Sequence, residues 1–166
     1  VGSLEVQEIR IVNVQRFSTE DGPGIRTTVF LKGCPMRCAW CQNPETIKSE
    51  PEIVWLRDRC LRDAGCITVC PVDALSIKDD MVRIDRERCD GCGMCADFCP
   101  SGAIRLHGRT MPVPRLVEIL GRDRAFYESS GGGVTLSGGE PLAQGRKTIA
   151  LLKGLKEKGL HVALDT

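Results

Sequence analysis

Cysteine is the residue type that could do chemistry in this sequence, and its spacing says which chemistry. Seven of the ten cysteines lie between Cys60 and Cys99, and the other three, Cys34, Cys38 and Cys41, form a separate group. The segment Cys89-x2-Cys92-x2-Cys95-x3-Cys99-Pro100 has the spacing of a bacterial iron–sulfur run, whose fourth thiolate ligates the other cluster when two runs are present. Short reach is the reason. Three thiolates on one tight loop face one cubane, while the fourth, expected at the start of a helix, points at a neighbour. C-x2-C pairs also hold zinc, but four cysteines at this spacing, followed by proline and repeated, favour iron–sulfur.

The run is repeated. Adding 29 takes Cys60, Cys66, Cys70, Pro71 and Ala74 to Cys89, Cys95, Cys99, Pro100 and Ala103, and Leu75 to Ile104. The repeat predicts one cluster held by Cys70, Cys89, Cys92 and Cys95, and another held by Cys60, Cys66 and Cys99. The fourth corner of the latter falls on Asp63, opposite Cys92. A carboxylate oxygen is harder than a thiolate and binds cluster iron more weakly. Three outcomes stand open: a 4Fe–4S cluster with an Asp-ligated iron, a 3Fe–4S cluster with that corner lost, or a degraded site. Beside them stands the plain reading of Asp63 as a solvated loop residue.

The first group, in Gly33-Cys34-Pro35-Met36-Arg37-Cys38-Ala39-Trp40-Cys41-Gln42-Asn43-Pro44, is C-x3-C-x2-C with no fourth cysteine nearby. A 4Fe–4S cluster here has one open iron, able to bind a small chelating ligand. Taken alone, three cysteines also fit a structural role or a zinc site completed by histidine. His107 and His161, however, lie far along the chain and in no ligand-like pair.

These loops need elements to position them. Ile25–Leu31, with Thr27, Thr28, Val29 and Phe30, reads as a buried strand. The Cys34 loop follows its end, where α/β sheets and barrels place their chemistry. Val134–Ser137 reads as a second strand. Gly138-Gly139 allows a sharp turn, and Glu140-Pro141 starts a helix with Leu142, Ile149, Leu152 and Leu155 on its apolar face and Gly159 as its cap. Gly-Gly-Glu alone fits a plain β–α turn equally well. Leu160–Leu164 reads as a third strand, ending in Asp165-Thr166.

Together these motifs carry a resemblance. C-x3-C-x2-C after a first strand, with an aromatic before the last cysteine, resembles the radical S-adenosylmethionine (SAM) superfamily. Gln15-Arg16-Phe17, the stretch from Asp21-Gly22-Pro23-Gly24-Ile25-Arg26 to Cys34-Pro35, and Gly131-Gly132-Gly133-Val134-Thr135-Leu136-Ser137-Gly138-Gly139-Glu140-Pro141-Leu142 resemble the activating enzymes of glycyl radical enzymes. The larger members of that family carry a two-cluster ferredoxin insert after the radical-SAM loop.

The resemblance implies an α/β fold: the N-terminal part of a partial (β/α)6 radical-SAM barrel, with an inserted ferredoxin-like α+β domain carrying two Fe–S clusters. Residues 1–50 and 111–166 would form the barrel part and residues 51–110 the insert. The resemblance implies a catalytic 4Fe–4S cluster on Cys34, Cys38 and Cys41. It implies SAM contacts from Trp40, Cys41, Gln42, Gly138, Gly139 and Glu140, and from Asp165, which with Thr166 would help hold a monovalent cation. The implied activity is reductive cleavage of SAM to a 5′-deoxyadenosyl radical, which abstracts a hydrogen from a glycine of a partner glycyl radical enzyme. Flavodoxin or ferredoxin would supply the electron. A ferredoxin-like electron-transfer module and a radical-SAM enzyme acting on a small molecule are the competing readings. Only three barrel strands can be counted, and the last would leave an unpaired apolar edge, so the sequence reads as an N-terminal fragment.

Composition narrows the classes. Net charge is +1 with mixed signs, which gives no electrostatic footprint for nucleic acid or an anionic membrane. No apolar run reaches the roughly 18–20 residues that span a bilayer, and residues 1–30 lack a signal-peptide pattern. Dense cysteine without such a signal points to metal rather than disulfides, and a cytoplasmic location is the default expectation.

Overall fold

A computed structural model of the chain describes residues 7–166. In chain order the elements are β1 (Glu8–Ser18), β2 (Arg26–Leu31), β3 (Glu52–Trp55), α1 (Gly65–Thr68), β4 (Leu75–Lys78), β5 (Met81–Ile84), α2 (Met94–Phe98), β6 (Ile104–His107), β7 (Arg109–Pro112), α3 (Val113–Gly121), α4 (Arg124–Ser130), β8 (Gly133–Gly138), α5 (Arg146–Glu157) and β9 (Val162–Leu164). They divide into two compact units, one running to Ser49 and resuming over Gly108–Thr166, the other spanning Glu50–His107.

The first unit is a mixed five-stranded sheet in the order β7-β1-β2-β8-β9. Strands β2, β8 and β9 are parallel, with Val29 beside Leu136 and Leu136 beside Leu164. β1 and β7 add antiparallel pairings. β2 and β8 are buried on both faces, as parallel strands usually are. Ile9, Ile11, Val29, Leu31, Val134 and Leu136 pack with Leu116 and Leu120 of α3 and Leu151 and Leu155 of α5 in one core. Each such side chain is worth about 1.5–3 kcal/mol when fully buried. In the β2–β8 register Thr28 lies beside Thr135 and Phe30 beside Ser137, so alternation gives the opposite face of these strands buried hydroxyls.

Two sequence expectations need correction here. The helix expected from Glu140 is broken: Pro141–Gln144 forms one 3-10 turn, Gly145 turns the chain at φ +54, and α5 begins at Arg146. The break resets the helical phase, so Thr148, Leu151 and Leu155 face the core while Leu142 and Ile149 are exposed. β1 and β7 were not expected. β1 buries Ile9 and Ile11 among polar neighbours, a short alternation that is easily overlooked.

The second unit turns the sequence repeat into architecture. β3 and β5, α1 and α2, and β4 and β6 start at the same offset of 29. The strands exchange partners between copies: β3 pairs with β6 and β4 with β5. The registers correspond, since Trp55 opposite Ile104 maps onto Ile84 opposite Leu75. Cys99 was expected to start a helix. It instead caps the C-terminus of α2, and Cys70 follows α1; each helix carries the preceding cysteine, Cys95 or Cys66, and sets the last one beyond its C-terminal end.

Candidate functional site

In the first unit the carboxyl ends of β2 and β8 converge. Leu31 lies beside Gly138 at the end of the β2–β8 pairing. Past β2, Gly33 N–H donates to Thr46 O at 2.7 Å and Cys34 N–H to Ile47 O at 2.9 Å, which fixes the root of the cysteine loop. Past β8, Gly139 N–H donates to Leu31 O at 2.9 Å and Glu140 N–H to Gly33 O at 3.1 Å. The two turns are thus stitched together. Glycine is needed here: Gly138 sits at φ +91, and a Cβ on Gly139 would come within 2.6 Å of Gly33 O.

These turns border a cleft of about 380 Å³ that brings together Cys34, Cys38, Trp40, Cys41, Gln42, Gly138, Gly139, Glu140 and Asp165. Every residue the sequence nominated for the first cluster and for SAM therefore lines one cleft, although Trp40 is 82% exposed at its rim. The acidic groups are already engaged. Ser137 Oγ donates to Asp165 Oδ2 at 2.6 Å, and Thr166 Oγ1 donates to the Glu140 carboxylate at 2.8 Å. Leu142 N–H donates to the same Glu140 oxygen at 2.8 Å. Sequence reasoning missed Ser137, whose place at the end of a buried strand was its only signal.

In the second unit Cys70, Cys89, Cys92 and Cys95 line one small cavity of about 10 Å³ together with Ile53, Val72, Ala74 and Leu75. Four cysteines therefore meet around one space, as the ligands of a shared cluster must. Among the described residues no three Cys, His, Asp or Glu side chains converge on a single bare ion. Burial pushes the Cys95 thiol up to about 11, with the nearby Cys70 and Cys89 adding to the rise. Assembly of a metal centre here must therefore displace a tightly held proton. Ala74 N–H donates to Cys70 Sγ at 3.2 Å, the kind of bond to sulfur that tunes cluster potential.

Cys60, Cys66 and Cys99 form the companion group. Burial raises the Cys66 thiol, helped by the charges of Cys60, Asp63 and Cys99. Burial also acts to raise Cys99, but Ser101 Oγ and the N–H groups of Ile104, Ala103 and Ser101 outweigh it and hold the thiol below its ordinary value. The N–H of Ala103 is the repeat image of the N–H of Ala74. All ten cysteines are free thiols.

Thiolate loops of this spacing, on a mixed α/β scaffold, define an iron–sulfur protein. Residues 82–105 match the 4Fe-4S binding domain and residues 20–70 the 4Fe-4S single cluster domain. The chain is 45% identical to the isethionate sulfite-lyase activating enzyme of Oleidesulfovibrio alaskensis, over 93% of this chain and 52% of that protein. It is 47% identical to the (2S)-3-sulfopropanediol sulfolyase activating enzyme of Bilophila wadsworthia, over 98% and 55%. It is 44% identical to the benzylsuccinate synthase activating enzyme of Thauera aromatica, over 94% and 49%. By sequence the chain is a homologue of the activating enzymes of glycyl radical enzymes. It spans about half the length of the curated relatives it matches. No helix among the described residues is long and apolar enough to cross a membrane.

Proposed function

We propose that the protein carrying this chain is a radical-SAM activase that installs a glycyl radical on a partner enzyme. On this reading the sheet unit is part of a radical-SAM barrel and residues 50–107 are a ferredoxin-like insert. The observation that carries it is the single cleft shared by the Cys34 loop, the Gly138–Glu140 turn and Asp165. An electron carrier has no use for a three-thiolate loop opening onto such a cleft.

Cys34, Cys38 and Cys41 would hold three irons of a 4Fe–4S cluster, leaving the fourth facing the cleft. Held there, such a cluster would supply the single electron for reductive cleavage of SAM to methionine and a 5′-deoxyadenosyl radical, the species that would take a hydrogen atom from a partner glycine. The chain's own residues position that event. Gly138 and Gly139 bring backbone to the mouth of the cleft without side-chain bulk, and Glu140 orders the turn through Leu142 N–H and Thr166. Asp165, oriented by Ser137, places a carboxylate where a cation or the SAM amino acid moiety would bind. Cys70, Cys89, Cys92 and Cys95 would hold one cluster of the insert, and Cys60, Cys66, Cys99 and Asp63 the other. Flavodoxin or ferredoxin would be the electron donor. The relatives activate a sulfite-lyase, a sulfolyase and benzylsuccinate synthase, so the partner class is a glycyl radical enzyme with no one substrate singled out.

The test is anaerobic reconstitution of the whole protein, reduction, and measurement of 5′-deoxyadenosine and methionine formed from SAM. The proposal expects stoichiometric formation of both, abolished by Cys38→Ala. Absence of SAM cleavage in protein loaded with all its clusters would overturn it.

A further inference from the structure

The two copies in the Glu50–His107 unit differ at one corner, and the backbone around that corner is kept although its sequence is not. The second copy reads Gly91-Cys92-Gly93, with both glycines in the left-handed region at φ +69 and +84. The first copy reads Arg62-Asp63-Ala64, and Arg62 and Ala64 hold the same region at φ +61 and +59. Left-handed backbone costs an ordinary residue about 1–2 kcal/mol, yet the first copy keeps it on both sides of Asp63 without glycine. Asp63 thus stands on the backbone that a cluster-binding cysteine occupies in the other copy. Its Oδ1 accepts Gly65 N–H at 3.3 Å, at the start of α1.

We infer that Cys60, Cys66, Cys99 and Asp63 hold a site-differentiated iron–sulfur cluster, whose Asp63-bound iron can be removed and replaced while the Cys70/Cys89/Cys92/Cys95 cluster stays intact. This inference rests on the reading of the unit as a two-cluster carrier. The carboxylate is the one donor in the set that is poorly matched to cluster iron. With ferricyanide as a one-electron oxidant, a 4Fe–4S cluster in its 2+ state gives up one electron. It then releases one Fe2+ from the Asp63 corner and becomes a 3Fe–4S cluster in its 1+ state, while ferricyanide becomes ferrocyanide. The three thiolates stay bound, and the carboxylate is freed to accept the Gly65 N–H alone. Added Fe2+ and one reducing equivalent reverse the step, and another divalent metal can take the vacated corner.

The Cys34/Cys38/Cys41 cluster would also have an open iron, so the test uses the full chain with those three cysteines changed to alanine. The protein is loaded anaerobically, treated with limiting ferricyanide, and read by iron content and low-temperature electron paramagnetic resonance. The expected result is loss of one iron from the cluster pair and one 3Fe–4S signal, with both the iron and the silence restored by Fe2+ and one reducing equivalent per chain. Asp63→Cys should remove that lability. Mössbauer spectra of the loaded protein with Asp63 in place provide a reading that does not depend on the variant's folding: one iron of the pair should carry the signature of oxygen ligation. Equal loss from both clusters, an all-thiolate Mössbauer spectrum, or a single cluster per chain would overturn the inference. SAM cleavage by the protein with all its cysteines is a separate readout, and its failure would strike the activase reading instead.

Discussion

On the proposed function, the cleft at the end of the parallel strands and the cysteine cavity of the second unit would solve opposite problems with the same ligand type. The cavity is lined by four cysteines and a wall of Ile53, Val72, Ala74 and Leu75, and it buries Cys95 deeply enough to push its thiol up to about 11. The cleft offers three cysteines and a mouth of glycine backbone, hydroxyl and carboxylate groups. A full thiolate set in an apolar wall leaves iron no free coordination position and suits storing or passing electrons. Three thiolates beside a polar cleft leave one position for a substrate. Ligand count and enclosure, rather than ligand type, separate the two tasks.

The comparison breaks most completely at the cleft's own ligands. Cys38→Ala should reduce SAM cleavage to background while iron analysis still finds the clusters of the second unit. Cys95→Ala should do the reverse: one cluster is lost from the second unit, and SAM cleavage driven by dithionite persists. Iron content and 5′-deoxyadenosine assays on both variants check the pair.

Smaller effects sharpen the geometry. Gly139→Ala should destabilise the sheet unit by about 1–3 kcal/mol through overpacking against Gly33 O, and it should weaken SAM binding; calorimetry and a binding titration would read both. Asp123 is buried and paired with Arg16 and Thr27. The Arg16 hydrogen bond, with help from Thr27, holds its carboxyl below the usual range. Its contribution is therefore present above the unfolded carboxylate pKa of about 3.9 and lost as pH falls through the lower folded value. Asp123→Asn should cost about 1–3 kcal/mol at neutral pH and flatten the loss of stability below about pH 4, measured by urea unfolding across pH. Least of all, Ala64→Gly should stabilise the second unit by about 0.5–1 kcal/mol, because glycine relieves the left-handed strain but gives back part of the gain as chain entropy.

Much of this was legible from spacing. The ends of β2 and β8 were readable because apolar and β-branched residues stop at Cys34 and at Gly138-Gly139. The offset of 29 foretold both copies of the second unit and paired Asp63 with Cys92. The pairing of β3 with β6 was not readable, since it joins opposite ends of the second unit, whereas β4 and β5 form a local hairpin across Asp79-Asp80 that was simply overlooked. The same offset aligns Arg62 and Ala64 with Gly91 and Gly93, yet nothing local says that non-glycine residues keep the left-handed backbone. The break at Gly145 was missed because Leu142, Ile149, Leu152 and Leu155 still fit a helical period when the turn is ignored. Ser137 and the Glu140–Thr166 contact depend on two chain segments meeting, which only the folded sheet brings about.

On the proposed function, SAM binds at the Cys34/Cys38/Cys41 loop and nowhere else. Electron paramagnetic resonance of the reduced whole protein, with and without SAM, tests it most directly. SAM should shift the signal of one cluster only, and the shift should vanish when Cys34, Cys38 and Cys41 are replaced while the signals of the second unit remain. A SAM-dependent shift that survives those replacements would contradict it.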